Sequence, residues 1–269
     1  FLKKKIVIFF FAWCVYLFFR SLFSDNPLLS LESSLFYFRF GFFSLGVCFL
    51  LNRASYLKKY FSLGLIFAFS VIIFDSYFQF LIGYNTIGFP YNGNRLSSFF
   101  GDELKLGSYI ARLFPIVFAL MLIEFRDNSK IWIYSFLLLL LSDVLIFLSG
   151  ERTSLFMLLI TTLLILTLIK KHRILRISAL LGSSFIIFLI SINFSSIRER
   201  VFDLTIDEMN LLGDKIIIFS PTHQSHYTSA YKMFINNPVF GIGPKMFRES
   251  CNMPKYYVEH GCSTHPHNT

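Results

Sequence analysis

The sequence predicts an all-α fold: a polytopic bundle of about seven transmembrane helices with a partly helical outer loop. Three observations carry that prediction. Of 269 residues, 55% are hydrophobic and only 15% charged, with 36 Phe, where a soluble domain carries ~25% charged residues. Apolar runs near spanning length recur along the whole chain, so the first of them needs no signal peptide to explain it. Basic residues gather in alternate connections between those runs, as they do in chains threaded through a bilayer. Topology therefore accounts for the net charge of +9, and no nucleic-acid partner is expected.

The runs cover 6–23, 34–51, 61–82, 104–124, 131–149, 153–169 and 174–193, and each is read as long enough to cross ~30 Å of hydrocarbon at about 1.5 Å per residue. Lys3, Lys4 and Lys5, then Arg53, Lys58 and Lys59, then Arg126 and Lys130, then Lys170, Lys171, Arg173 and Arg176 mark the cytoplasmic side. The 24–33 and 83–103 connections, the tight turn near Gly150 and everything after about 194 then face outward. This divides the chain into a transmembrane bundle, 1–193, and a large outer loop, 194–269. The sequence starts at Phe1 and stops at Thr269 within a polar motif, so both ends read as cut and part of the molecule is expected to lie beyond them.

The 83–103 connection, "GYNTIGFPYNGNRLSSFFGDE", is rich in Gly, Asn, Ser and aromatics and longer than two helices need to be joined. In the outer loop, Tyr227, Ala230, Tyr231, Phe234 and Ile235 recur at i, i+3, i+4, i+7 and i+8. That spacing predicts an amphipathic helix suited to the outer membrane–water interface. It ends at "NNPVFGIGP", where Pro238, Gly241, Gly243 and Pro244 are turn residues. Cys14 and Cys48 fall in apolar runs and are expected to stay reduced. Cys251 and Cys262 face an oxidising compartment under this topology and are expected to pair.

Charges inside spans are costly and tend to mark sites, although snorkelling and structural pairing also account for them. Arg39, Asp75, Arg112 and Asp143 lie in the outer halves of their predicted helices, and Arg95, Asp102, Glu103, Glu151 and Arg152 at the outer ends. The inner half has almost none, which suits an outward-opening polar cavity better than a conduction path. Arg152 sits in "LSGERTSLF", a sharp turn beside Gly150, at the start of the next helix. Free backbone N–H groups and the helix dipole already favour an anion there.

Five of the six His occur in the tail: His223, His226, His260, His265 and His267. Three readings compete for the closing "HPHN". His-x-His puts two imidazoles on one side of an extended segment, as a metal site needs, yet no carboxylate-rich or Cys-x-x-Cys frame accompanies it. Loop histidines without a role are the second reading. General acid–base chemistry is favoured, because an imidazole titrates near neutral pH and is suited to take a proton from a sugar hydroxyl.

Four stretches in order, "RLSSFFGDELKLGSYIARLFP" (95–115), "SGERTSLF" (149–156), "YTSAYKMFINNPVFGIGPKMF" (227–247) and "CSTHPHN" (262–268), resemble the O-antigen ligase and O-antigen polymerase (Wzy-type) superfamily. The resemblance implies a GT-C-like architecture. It also implies transfer of a glycan from an undecaprenyl-diphosphate carrier to an acceptor hydroxyl, on lipid A core or on a second lipid-linked repeat, in surface polysaccharide and lipopolysaccharide biosynthesis. It places the protein in the bacterial inner membrane with its active site toward the periplasm.

The family's catalytic His matches His267 before Asn268, and its diphosphate-holding Arg residues match Arg152 and Arg95. Arg112, Glu103, His265 and Asn268 complete the expected substrate-binding set. One departure stands out: where many members carry an Arg ahead of the amphipathic helix aromatic, this chain has His223 before Tyr227, leaving Arg198 or Arg200 as substitutes. Forked, permanently charged guanidinium groups can take the place of a divalent cation on a diphosphate, so neither metal nor other cofactor is expected. The alternative function is a polysaccharide or lipid-linked oligosaccharide transporter. A transporter should show polar or broken helices at mid-membrane, often repeated in two halves, whereas here the polar residues gather toward one face.

Overall fold

The computed structural model describes residues 5–91, 93, 95–208 and 221–264. Among them there is no strand, only one isolated bridge between Tyr84 and Pro90. The helices are α1 (Lys5–Leu22), α2 (Pro27–Ser34), α3 (Phe38–Arg53), α4 (Ser55–Ile82), α5 (Leu106–Glu124), α6 (Ile131–Leu148), α7 (Arg152–Leu168), α8 (Arg173–Asn193), α9 (Ser195–Arg198), α10 (Leu204–Glu208), α11 (Pro221–Asn236) and α12 (Phe247–Ser250). Six stretches are long and apolar enough to cross a membrane: Lys5–Leu22, Pro27–Arg53, Tyr56–Ile82, Leu106–Glu124, Ile131–Leu148 and Lys170–Asn193. The seventh predicted span corresponds to α7, whose 17 residues reach roughly 26 Å and fall short of ~30 Å. The chain is a multi-pass membrane protein.

Two compact units make up the chain, one of residues 1–54 with 207–269 and one of residues 55–206. The core of the 55–206 unit forms where α5 and α6 bury Phe114, Val117, Phe118, Leu139 and Leu145 against Phe69 of α4. A charge pair lies inside it. Arg176, expected at a cytoplasmic helix end, is instead fully buried, with Nη1 2.7 Å from Asp143 Oδ2. Its Nε donates to Thr162 Oγ1 at 3.1 Å, Nη2 donates to the same hydroxyl, and Ser183 Oγ donates to Asp143 Oδ2 at 3.2 Å. A guanidinium in an apolar bundle needs a counter-charge and acceptors, and α6 and α7 supply both. Charge is therefore not confined to the helix ends.

In the other unit, α1 and α2 meet through serines. Ser21 Oγ donates to Ser34 Oγ at 2.7 Å and Ser30 Oγ donates to Ser21 Oγ at 2.9 Å, small side chains that let backbones approach closely. Asn26 caps α2, its side chain accepting from Leu29 N–H, with Pro27 in the first turn. Arg20 ties α1 to the segment after α11, donating to the carbonyls of Phe240 (3.1 Å) and Gly241 (2.8 Å). Cys251 and Cys262 form the expected disulfide, while Cys14 and Cys48 are free.

The predicted amphipathic helix exists as α11, but its packed face differs. Tyr231, Phe234 and Ile235 are exposed, while His226, Ser229 and Met233 are buried beside Phe247, Cys251 and Tyr256. The reason is the disulfide-braced 247–262 segment, which takes up the other side of the helix: Ser229 Oγ donates to Tyr256 O at 2.9 Å. That leaves the apolar stripe turned away from its own unit's core.

Candidate functional site

The site residues of the 55–206 unit are assembled by two local structures. The first is the end of α6. Ser149 N–H donates to Leu145 O, Gly150 N–H donates to Phe147 O at 3.0 Å, and Gly150 takes φ 65°. A left-handed residue just past a helix end reverses the chain, and Gly150 does so at no steric cost. Glu151 and Arg152 follow at once, so Arg152 opens α7.

The second is the 83–103 connection, pinned by α4. Asp75, fully buried, accepts from Thr86 N–H (2.9 Å), Thr86 Oγ1 (2.6 Å), Ser98 Oγ (2.5 Å) and Asn85 Nδ2 (3.3 Å). One turn on, Gln79 Oε1 accepts from Ser97 N–H at 3.2 Å and Ser98 N–H at 2.8 Å. Tyr91 and Ser196 both donate to Gly93 O at 3.0 Å, and burial pushes the Tyr91 phenol up to about 12, so it stays a donor. A buried carboxylate and a buried amide organise backbone in this way, and here they hold Asn85 and Thr86 ahead of Arg95 and Ser97 and Ser98 just after it.

Arg95 is thereby set beside the α6–α7 turn. Its Nε donates to Ser149 O at 3.2 Å and its Nη2 to Leu104 O at 3.0 Å, with Nη2 3.9 Å from Glu151 Oε1. The Glu151 carboxylate, only 10% exposed, also covers the first turn of α5. Oε1 accepts from Gly107 N–H (2.8 Å), and Oε2 accepts from Ser108 N–H (3.1 Å), Ser108 Oγ (2.5 Å) and Ser154 Oγ (3.1 Å). A Cβ at position 107 would collide with Ser149 Oγ and stand 3.0 Å from Ser149 Cβ, so α5 comes this close to the turn only with glycine there.

The arrangement gathers Arg95, Glu151 and Arg152 where α5 and α7 begin. The Glu151 carboxylate caps the first turn of α5 and lies beside the Arg95 guanidinium, and Arg152 is the first residue of α7; cationic side chains at helix N-termini suit a phosphate-bearing ligand. Glu151 is the residue the sequence did not single out as functional. Its signal lay in its place between Gly150 and Arg152, but its partners on α5 are more than forty positions earlier in the chain.

Among the described residues no hydrogen bond or ion pair joins Glu103, Arg112 or Arg198 to this group. Glu103 is exposed and pairs with Lys105 at 2.6 Å. Arg112 is exposed on α5 and forms no ion pair with a described residue. Arg198 pairs with Asp203 at 3.7 Å, His223 is exposed on the first turn of α11, and the Arg200 side chain lies outside the described residues. His265, His267 and Asn268 lie outside the described residues as well. Among the described residues no three His, Cys, Asp or Glu side chains are gathered as a metal-binding group.

A family model described as O-antigen ligase matches residues 135–269, just over half of the chain. The chain belongs to the O-antigen ligase family. No curated protein and no solved structure matches it. The O-antigen ligase match includes the 149–156, 227–247 and 262–268 stretches, and with them Glu151, Arg152 and the His-Pro-His-Asn motif. The 95–115 stretch lies outside it, so Arg95 joins the O-antigen ligase region through the structure, by its contacts to Ser149 and Glu151. Membership of this family of ligase- and polymerase-type enzymes implies a role in polysaccharide biosynthesis on lipid-linked glycans.

Proposed function

We propose that the protein transfers a glycan from an undecaprenyl-diphosphate carrier to an acceptor hydroxyl, on lipid A core or on another lipid-linked repeat, at the periplasmic face of the bacterial inner membrane. The observation that carries the proposal is the Arg95–Glu151–Arg152 group at two helix N-termini in a chain of the O-antigen ligase family. The acceptor oxygen attacks the anomeric carbon, the bond from that carbon to the diphosphate oxygen breaks, and the acceptor proton passes to His267 acting as general base. Negative charge grows on the departing diphosphate, and Arg95 and Arg152 are the groups suited to hold it. Because both guanidinium groups keep their charge at any working pH, the reaction is proposed to run without a metal. A single in-line attack inverts the anomeric centre.

Glu151 has a supporting part: it braces Arg95 and anchors α5, while Arg152 follows it directly in the chain. Glu103, Arg112, His265 and Asn268 are proposed as further glycan or diphosphate contacts. Deleting the gene tests the reading and separates its two forms. Loss of a ligase leaves long carrier-linked chains and bare core, and loss of a polymerase leaves single repeats on the core; an unchanged surface glycan profile would overturn both.

A further inference from the structure

Of the charges that the sequence places inside spans, Asp75 is absorbed by the 83–103 connection and Asp143 by Arg176. Arg39, in the first turn of α3, is used by neither structure nor proposed reaction. It lines a cavity of 340 Å3 shared with Lys245, Glu32 and Ser33. Its guanidinium lies 4.9 Å from the Phe40 ring centre and forms no ion pair with a described residue. Lys245 Nζ is 3.0 Å from Glu32 Oε1, and the Lys245 backbone holds φ 59°, a conformation that a residue with a side chain seldom adopts. The Ser33 hydroxyl donates to no described residue. The cavity thus offers two cations against one carboxylate, with a spare hydroxyl donor.

We infer that this cavity takes the phosphodiester headgroup of an anionic lipid. Two cationic side chains and a hydroxyl suit a singly charged phosphodiester, which needs both charge and donors. A lipid is favoured over a soluble anion because the remaining wall is apolar and exposed. Phe36, Tyr37 and Phe40 line the cavity and leave 51%, 38% and 53% of their surfaces uncovered, within the apolar Pro27–Arg53 stretch that is long enough to cross a membrane. Uncovered aromatic rings in such a stretch meet lipid, and basic residues beside them draw acidic headgroups. The inference concerns the other unit of the chain and stands independently of the proposed glycan transfer.

The test uses the full chain reconstituted with equal phosphatidylglycerol and phosphatidylcholine, re-extracted, and its retained lipid measured by mass spectrometry. Wild type should retain phosphatidylglycerol by roughly five-fold over phosphatidylcholine, from about one net charge at the site. Arg39→Gln with Lys245→Gln, which leaves only the Glu32 carboxylate, should abolish the preference and bring the ratio to one or below. Glu32→Gln, which frees Lys245 and keeps both cations, should raise it by a similar factor, and this gain does not depend on the double variant folding. Lys58→Gln with Lys59→Gln, a basic cluster on α4 that does not line the cavity, should leave the ratio within two-fold. An unchanged ratio in Glu32→Gln, or an equal fall in the Lys58/Lys59 control, would overturn the inference. Loss of the preference in millimolar inorganic phosphate would make this a soluble-anion site and overturn the lipid assignment.

Discussion

Replacing Glu151 with Gln removes one charge and one of two acceptor oxygens from a place where both are used. In the wild-type protein the carboxylate accepts from Gly107 N–H, Ser108 N–H, Ser108 Oγ and Ser154 Oγ, and lies 3.9 Å from Arg95. The glutamine amide turns an NH2 toward either Gly107 N–H or the Ser108 pair, so at least one backbone donor loses its partner. Such a loss costs ~1–3 kcal/mol, and losing an anion at a helix N-terminus costs ~0.3–1 kcal/mol more. The expected destabilisation is on the order of 2–4 kcal/mol, and Glu151→Ala, which empties all four donors, should exceed it. Denaturant unfolding of the solubilised protein followed by far-UV circular dichroism measures the difference. Glycan transfer by the variant should fall with it, because Arg95 loses its brace. A Gln variant within about 0.5 kcal/mol of wild type and fully active would refute the role assigned to Glu151.

Two further outcomes follow from the buried charges and the thiols. Asp143→Asn or Arg176→Met alone leaves an uncompensated buried charge or its orphaned partners and should cost ~3–5 kcal/mol, while the double variant recovers much of that loss in the same unfolding assay; additive losses would contradict the pairing. Thiol labelling of the denatured protein without reductant should modify Cys14 and Cys48 and leave Cys251 and Cys262 unmodified. Opening that disulfide should cost about 3 kcal/mol for so short a loop, and equal labelling of all four cysteines would rule the pairing out.

The spans were legible because lipid leaves a chain no choice but to satisfy its backbone internally, so apolar length alone marks the helices. In the 34–51 run α3 starts only at Phe38, and α2 precedes it, so the apolar crossing stretch reaches further back than composition shows, running from Pro27 to Arg53. Arg176 was hidden within a basic cluster whose other members behave as helix-end charges, and only the proximity of Asp143 and Thr162, 33 and 14 positions away, draws it inward. Arg152 could be read from its turn, since Gly150 and a following helix are local features. Glu151 could not, because its role arises from α5 backbone donors brought to it by tertiary packing. The stripe on α11 identified the helix and not its packed face, since in a membrane protein an apolar face need not turn inward.

The rate of glycan transfer from an undecaprenyl-diphosphate donor to an acceptor hydroxyl, measured on the full-length protein in the presence of a chelator, tests the central claim most directly. Wild type should transfer at an unchanged rate with the chelator. Arg152→Lys, which keeps charge and loses the bidentate fork, should be severely slowed, and His267→Ala should lose roughly two to four orders of magnitude while His265→Ala loses less. Near-normal transfer by a stably accumulated Arg152→Lys variant, or equal loss at both His positions together with silencing of the wild type by chelator, would contradict a metal-free transfer that relies on guanidinium groups.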